Sequence, residues 1–183
     1  MTRLLLAGAV LALGLVSSPL ATAAFGPDAA PDVSVREEGG TYEVRATFAI
    51  AQSADVARSV LSDYEQIPRF MPGIKSSVVR RRTPRLLVEQ EAVSKFAMFS
   101  KTVHLLLEIT EGDSYLHFVD LCGRSFIRYE GLWRIEPQGA GAEMSYELSA
   151  RPAFDVPGFV IKRLLKRNAS EMIERLKAEI AAR

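Results

Sequence analysis

From residue 41 onward the chain alternates. Tyr42, Val44, Ala46, Phe48 and Ile50 are separated by Glu43, Arg45 and Thr47, the period of two that marks a strand with one face on a core. Residues 53–73 break that period. Ser53 offers an N-cap and Asp55 a first-turn acid, and Val56, Ala57, Val60, Leu61 and Tyr64 recur at helical spacing. Pro68, Pro72 and Gly73 interrupt the continuation, so a second, shorter helix is expected to end at Phe70 or Met71. Strand patterns resume over residues 74–82, 86–93, 96–110, 115–121, 125–136 and 143–151, with turn signals at Thr83-Pro84, Glu111-Gly112-Asp113 and residues 137–141. Residues 155–182 change period again. Phe159, Val160, Leu164, Leu165, Ala169, Met172, Ile173, Leu176 and Ile180 recur as on one helix of about seven turns, with Pro157 suited to its first turn.

This order of elements predicts an α+β fold: a strongly curved antiparallel sheet of about seven strands wrapped on a long C-terminal helix, with two short helices after the first strand. Periodicity does not say whether the helix and sheet meet in a solid core or enclose a pocket.

The N-terminus has another logic. Arg3 precedes the 13-residue apolar run of residues 4–16, and Ser17, Ser18, Pro19 and Ala21-Thr22-Ala23 follow. These are the three regions of a secretory signal peptide. The run falls short of the roughly 20 residues of a membrane span, so cleavage near Ala23 or Ala24 is expected rather than retention as an anchor. Residues 1–24 are read as signal peptide, 25–40 as a disordered linker rich in Pro, Gly and Ala, and 41–183 as one domain. The expected location is secreted, in the periplasm.

Composition narrows the function. At 48% apolar and 25% charged the chain is that of a folded globular protein. Without the first 24 residues it carries 22 basic and 22 acidic residues, a balance that argues against nucleic-acid binding. Cys122 is the sole cysteine, read as a buried small hydrophobe, so packing rather than a disulfide must stabilise the domain. His104 and His117 lack a metal-ligand spacing, and no nucleophile elbow, P-loop or dinucleotide fingerprint is present. No metal, no cofactor and no catalytic residue is assigned. His104 has the parity opposite to Val103 and Leu105, whereas His117 and Tyr129 remain candidates for polarising a ligand carbonyl.

Three segments carry a family resemblance. Residues 60–74, with Asp63-Tyr64, Pro68, Phe70 and Pro72, resemble the D-Y-x-x-x-P-x-F-x-P segment of the coenzyme Q-binding/polyketide cyclase-like START family, within the helix-grip (Bet v 1-like, SRPBCC) superfamily. Residues 123–137, with Phe126, Gly131, Trp133 and Pro137, are similar to its G-x-W strand, and Pro152, Phe154 and Pro157 to its third piece. The resemblance covers residues 41–183 and implies an apolar cavity between sheet and helix that holds a lipid, isoprenoid quinone or polyketide-like molecule. It does not decide among a carrier, a cyclase/dehydratase-type enzyme and a ligand-free protein-interaction module.

On that reading the candidate pocket residues are Phe70 and Met71 at the mouth; Phe99, Val103, Leu105 and Leu107 on one strand; Ile127, Tyr129, Trp133 and Ile135 on another; and Phe159, Leu164, Met172 and Ile173 on the helix. Two basic clusters stand apart: Arg80, Arg81, Arg82 and Arg85 at a hairpin tip, and Lys162, Arg163, Lys166 and Arg167 on the first half of the helix. Solvated charge accounts for the first. The second is also a candidate docking face for an anionic membrane. The oligomeric state is left open.

Overall fold

A computed structural model describes residues 26–27, 29–71, 73–96, 99–155 and 157–183. The expected signal segment, residues 1–24, lies outside the described residues. Among them, eight strands form one antiparallel sheet: β1 (Asp32–Glu38), β2 (Thr41–Ile50), β3 (Ile74–Arg81), β4 (Leu86–Phe96), β5 (Phe99–Glu111), β6 (Tyr115–Asp120), β7 (Phe126–Gln138) and β8 (Gly141–Pro152). Their order across the sheet is β1-β2-β8-β7-β6-β5-β4-β3. The helices are α1 (Ala54–Leu61), α2 (Ile67–Phe70), reached through a 3-10 turn at Tyr64–Gln66, and the long α3 (Gly158–Ala181). This is the expected α+β helix-grip architecture.

β1 corrects the domain boundary. Residues 25–40 were expected to be a disordered linker, yet Asp32–Glu38 pairs with β2 along its whole length, from Asp32 opposite Thr47 to Glu38 opposite Thr41. Gly39 and Gly40 form the two-residue turn with φ of 57° and 81°, a conformation that costs glycine little and other residues much. Val33 and Val35 face the core from the new strand, and the sheet has eight strands rather than seven.

Ser53 caps α1, its Oγ accepting from the Val56 N–H at 3.5 Å. The two short helices then carry the chain from β2, near one edge of the sheet, to β3, the other edge. α3 packs across β1 and β2 and touches α1 and α2, so the inner sheet face is closed by helices. Five positions of β8 (Ala142, Met144, Tyr146, Leu148 and Ala150) and five of β2 from Tyr42 to Ile50 are buried on that face.

One position on β7 shows how close this packing is. A Cβ on Gly131 would stand 2.2 Å from the Phe118 ring and 2.9 Å from the Glu147 carbonyl oxygen. The glycine of the G-x-W segment is there to admit an aromatic ring from β6. Gly131→Ala is expected to cost about 1–3 kcal/mol by overpacking. Urea unfolding measures it; a loss below about 0.5 kcal/mol would show that the ring simply moves aside.

Candidate functional site

α3 presents a stripe to the interior through Ile161, Ala169, Ile173, Leu176 and Ile180, with Val160 also buried. Phe159, two residues or about 200° around the helix before Ile161, is 78% exposed. It is not a pocket residue. Leu164 is half-buried and outside the core cluster, where its neighbour Leu165 packs instead.

β7 required a second correction. Phe126 pairs with Pro152 and Arg128 with Arg151, so Ile127 is an extra, bulged residue. A bulge shifts side-chain parity by one. Ile127 therefore points outward, 67% exposed, while Phe126 turns in and stacks on Tyr129 with ring centroids 4.8 Å apart. Strict alternation from Ile135 back to Ile127 could not register that extra residue.

The remaining candidates come together. Met71, Val103, Leu105, Leu107, Trp133, Ile135 and Ile173 belong to one buried cluster, with Phe70, Tyr129 and Met172 partly buried against it. Phe99 opens β5, but its side chain lies outside the described ones. Four residues were missed: Phe48, Phe118, Met144 and Tyr146, although the alternation of β2 and β8 signals three of them. Phe48 meets Trp133 edge-on at 6.4 Å, and Trp133 lies 4.4 Å from Tyr146, directly opposite in register. Phe118 flanks Tyr129 at 5.9 Å.

Several polar groups lie on the inner face. Gln90 on β4 donates to Ser77 Oγ on β3 at 3.1 Å. Tyr64 donates to Glu111, and burial together with that carboxylate raises its pKa above the ordinary tyrosine value. Tyr146, 5% exposed, and Trp133, 6% exposed, are different, as is the half-buried Tyr129: none has a hydrogen-bond partner among the described residues. Leaving a buried O–H or N–H unpaired costs about 1–3 kcal/mol. Yet no described buried side-chain nitrogen or oxygen is sealed off without a partner. The Tyr129 and Tyr146 hydroxyls and the Trp133 indole N–H therefore keep some accessible surface of their own.

Two clefts reach the surface. One of about 500 Å³ lies between α2 and the second half of α3, lined by Phe70 and Met71 and rimmed by Arg69, Glu171, Arg175 and Glu179. The other, about 350 Å³, lies at the start of α3, between Tyr42, Ile127, Arg151, Phe154 and Ile161.

Neither histidine enters the grip. His104 is half-buried with Nδ1 3.6 Å from Glu91, and His117 Nε2 lies 3.0 Å from Glu130 on the outer face. His117 is thereby removed as a carbonyl-polarising group, because its neighbours Leu116 and Phe118 take the inner positions. Cys122 is half-buried rather than buried, in the loop after β6, with Sγ 3.4 Å from the His104 carbonyl oxygen. Among the described residues no group of three or more His, Cys, Asp or Glu could hold a metal, and no helix is long and apolar enough to cross a membrane. Of the hairpin arginines, Arg80 pairs with Glu89 and Arg85 with Glu108, as solvated charge does. Lys162, Arg163, Lys166 and Arg167 are all exposed.

A curved antiparallel sheet gripping a long helix defines the helix-grip class of the SRPBCC superfamily. The chain belongs to the polyketide cyclase/dehydrase and lipid transport family, whose profile matches residues 41–181. No curated protein matches it. Solved structures share the fold at low identity. A START superfamily protein from Mycobacterium smegmatis is 19% identical with a TM-score of 0.68, over 76% of this chain and 97% of that one. A STAR-related lipid transfer protein from Xanthomonas axonopodis is 16% identical with a TM-score of 0.69, over 83% and 94%. An aromatase/cyclase from a Streptomyces species is 14% identical with a TM-score of 0.64, over 78% and 95%.

Proposed function

We propose that the chain is exported to the periplasm and there binds a hydrophobic small molecule non-covalently between the sheet and α3, as a carrier for a lipid, isoprenoid quinone or polyketide-like compound. The observation that carries this reading is that Tyr129, Trp133 and Tyr146, on the inner face, have no hydrogen-bond partner among the described residues, whereas a core packed solid on itself would have to pair or exclude those groups. Apolar burial at about 25 cal/mol per Å² drives binding, less the cost of association. The outward placement of both histidines favours carriage over acid–base chemistry as the main role.

Loading and unloading of such cargo requires contact with a membrane. The basic first half of α3 adjoins the cleft at its start, and the exposed apolar side chains Ile127 and Phe159 stand at the same end. A cationic rim around apolar side chains matches an anionic lipid surface.

Native and extraction mass spectrometry of the protein isolated from its own compartment tests the carrier reading: one reproducible hydrophobic compound is expected. A turned-over compound would instead favour a cyclase/dehydratase-type enzyme, and a filled, ligand-free interior a protein-interaction module. Met172→Trp sharpens the result. If Met172 lines open space, the variant loses the compound with modest destabilisation; if the interior is solid, stability falls first, by about 1–3 kcal/mol.

A further inference from the structure

α3 begins without the groups that usually close a helix start. Pro157 brings no side-chain cap, and no acid stands in the first turn. Val160 and Ile161 donate to the Pro157 carbonyl at 2.9 and 3.3 Å, while the Gly158 and Phe159 N–H groups meet no described acceptor. These two donors, at the positive end of a 24-residue helix, stand beside the cleft of about 350 Å³.

A buried side chain is aimed at the same place. Tyr42, 4% exposed, lines the cleft, and a Cβ on Gly158 would stand 3.1 Å from its hydroxyl oxygen. That hydroxyl has no hydrogen-bond partner among the described residues. No described buried oxygen is sealed off without a partner, so this one opens onto the cleft that Tyr42 lines. Burial, and then the Glu37 carboxylate opposite it in register, raises its pKa above the ordinary tyrosine value. It is thus an O–H donor at neutral pH. Glu37 itself accepts from the Gly40 N–H at 2.8 Å.

Positive charge gathers around these donors. Arg151 lines the cleft, exposed and paired with no described acid. Lys101 Nζ lies 3.7 Å over the ring of Phe154, another lining residue, and Lys162 and Arg163 follow one turn into α3. Asp155 is the one acid in the described lining. A single group that accepts from two N–H groups, a hydroxyl and a guanidinium must present several anionic oxygens, as a phosphate does. Ile127, in the lining, and Phe159, on the first turn, are exposed beside it, which suits a phosphate that carries acyl chains.

We propose that the Gly158 and Phe159 N–H groups, the Tyr42 hydroxyl and Arg151 form a phosphate site at the start of α3 that seats the headgroup of an anionic phospholipid. The proposal rests on the membrane-contact reading and sharpens it, from a diffuse cationic face to one seat for one headgroup.

Two soluble probes test it, dihexanoyl phosphatidylglycerol below its micelle concentration and glycerol 3-phosphate, each titrated into isotope-labelled protein and followed by NMR. The lipid is expected to shift the Gly158 and Phe159 amides and to bind at least about tenfold more tightly than glycerol phosphate. Tyr42→Phe and Arg151→Gln should each weaken its binding about three- to tenfold. Thermal melts verify folding, and Arg151, being exposed, keeps the test decisive should the Tyr42 variant fail to fold. Glycerol phosphate binding as tightly as the lipid overturns the lipid assignment. Gly158 and Phe159 amides that stay unmoved, or an affinity that survives both substitutions, overturn the site while phosphatidylglycerol vesicles still bind. Wild type that binds neither probe nor those vesicles overturns the membrane reading beneath it.

Discussion

Leu176→Ala is expected to destabilise the domain by about 2–5 kcal/mol, whereas Phe159→Ala on the same helix should change stability by no more than about 0.5 kcal/mol. The two residues sit in the same periodic apolar pattern. Leu176 is 0% exposed and lies between Ile173 and Ile180, also 0% exposed, where α3 closes the sheet. Shortening it removes methyl groups from close packing and leaves a cavity that the rigid sheet cannot collapse into. Phe159 makes no such contact: it is exposed on the first turn, where Val160 and Ile161 are the buried residues. Urea unfolding of the two variants measures the difference, and a thermal scan should show about 2–4 °C lost per kcal/mol in a domain of this size. Equal destabilisation would mean that the first turn of α3 is buried too.

Replacing Lys162, Arg163, Lys166 and Arg167 together with glutamate should abolish binding to vesicles containing phosphatidylglycerol. Each basic residue near an anionic surface contributes about 1 kcal/mol, so removing four weakens binding by about 4 kcal/mol, on the order of a thousandfold, before the added repulsion. All four are exposed and off the buried stripe, so the fold should survive the change. Cosedimentation with anionic and with neutral phosphatidylcholine vesicles measures the effect. Salt should reproduce it in wild type, since charges beyond a Debye length of about 8 Å are screened at physiological ionic strength. Unchanged binding by the variant, or no binding by wild type, removes the docking face and leaves the interior site untouched.

These experiments probe different layers of one design. Leu176 reports on the closure between helix and sheet, and Met172 on whether the proposed interior site is open. Lys162 and its neighbours concern the proposed membrane contact.

The pattern of residues by itself determined most of the architecture, for a physical reason. A strand with one face on a core must alternate, and a helix closing that core must repeat every 3.6 residues, so each such element writes its period into the chain. β2, the strands from β3 to β8, α1, α2 and α3 were all legible in this way. Even β1 left a signal: Val33 and Val35 alternate with polar residues, and Gly39-Gly40 is a two-residue hairpin turn. It was obscured by the Pro- and Ala-rich residues just before it.

Only the tertiary structure decided which apolar residues share the interior. A bulge is one residue without a compositional mark, yet it turned Ile127 outward and Phe126 inward. The facing of α3 depends on where the sheet lies, so periodicity could not separate Phe159 from Ile161. The pairing of Tyr146 with Trp133 depends on the register of β7 against β8, which no local pattern contains. Whether helix and sheet enclose space is likewise a relation among distant residues. The fold sets three donors, on Tyr129, Trp133 and Tyr146, on its inner face with no hydrogen-bond partner among the described residues.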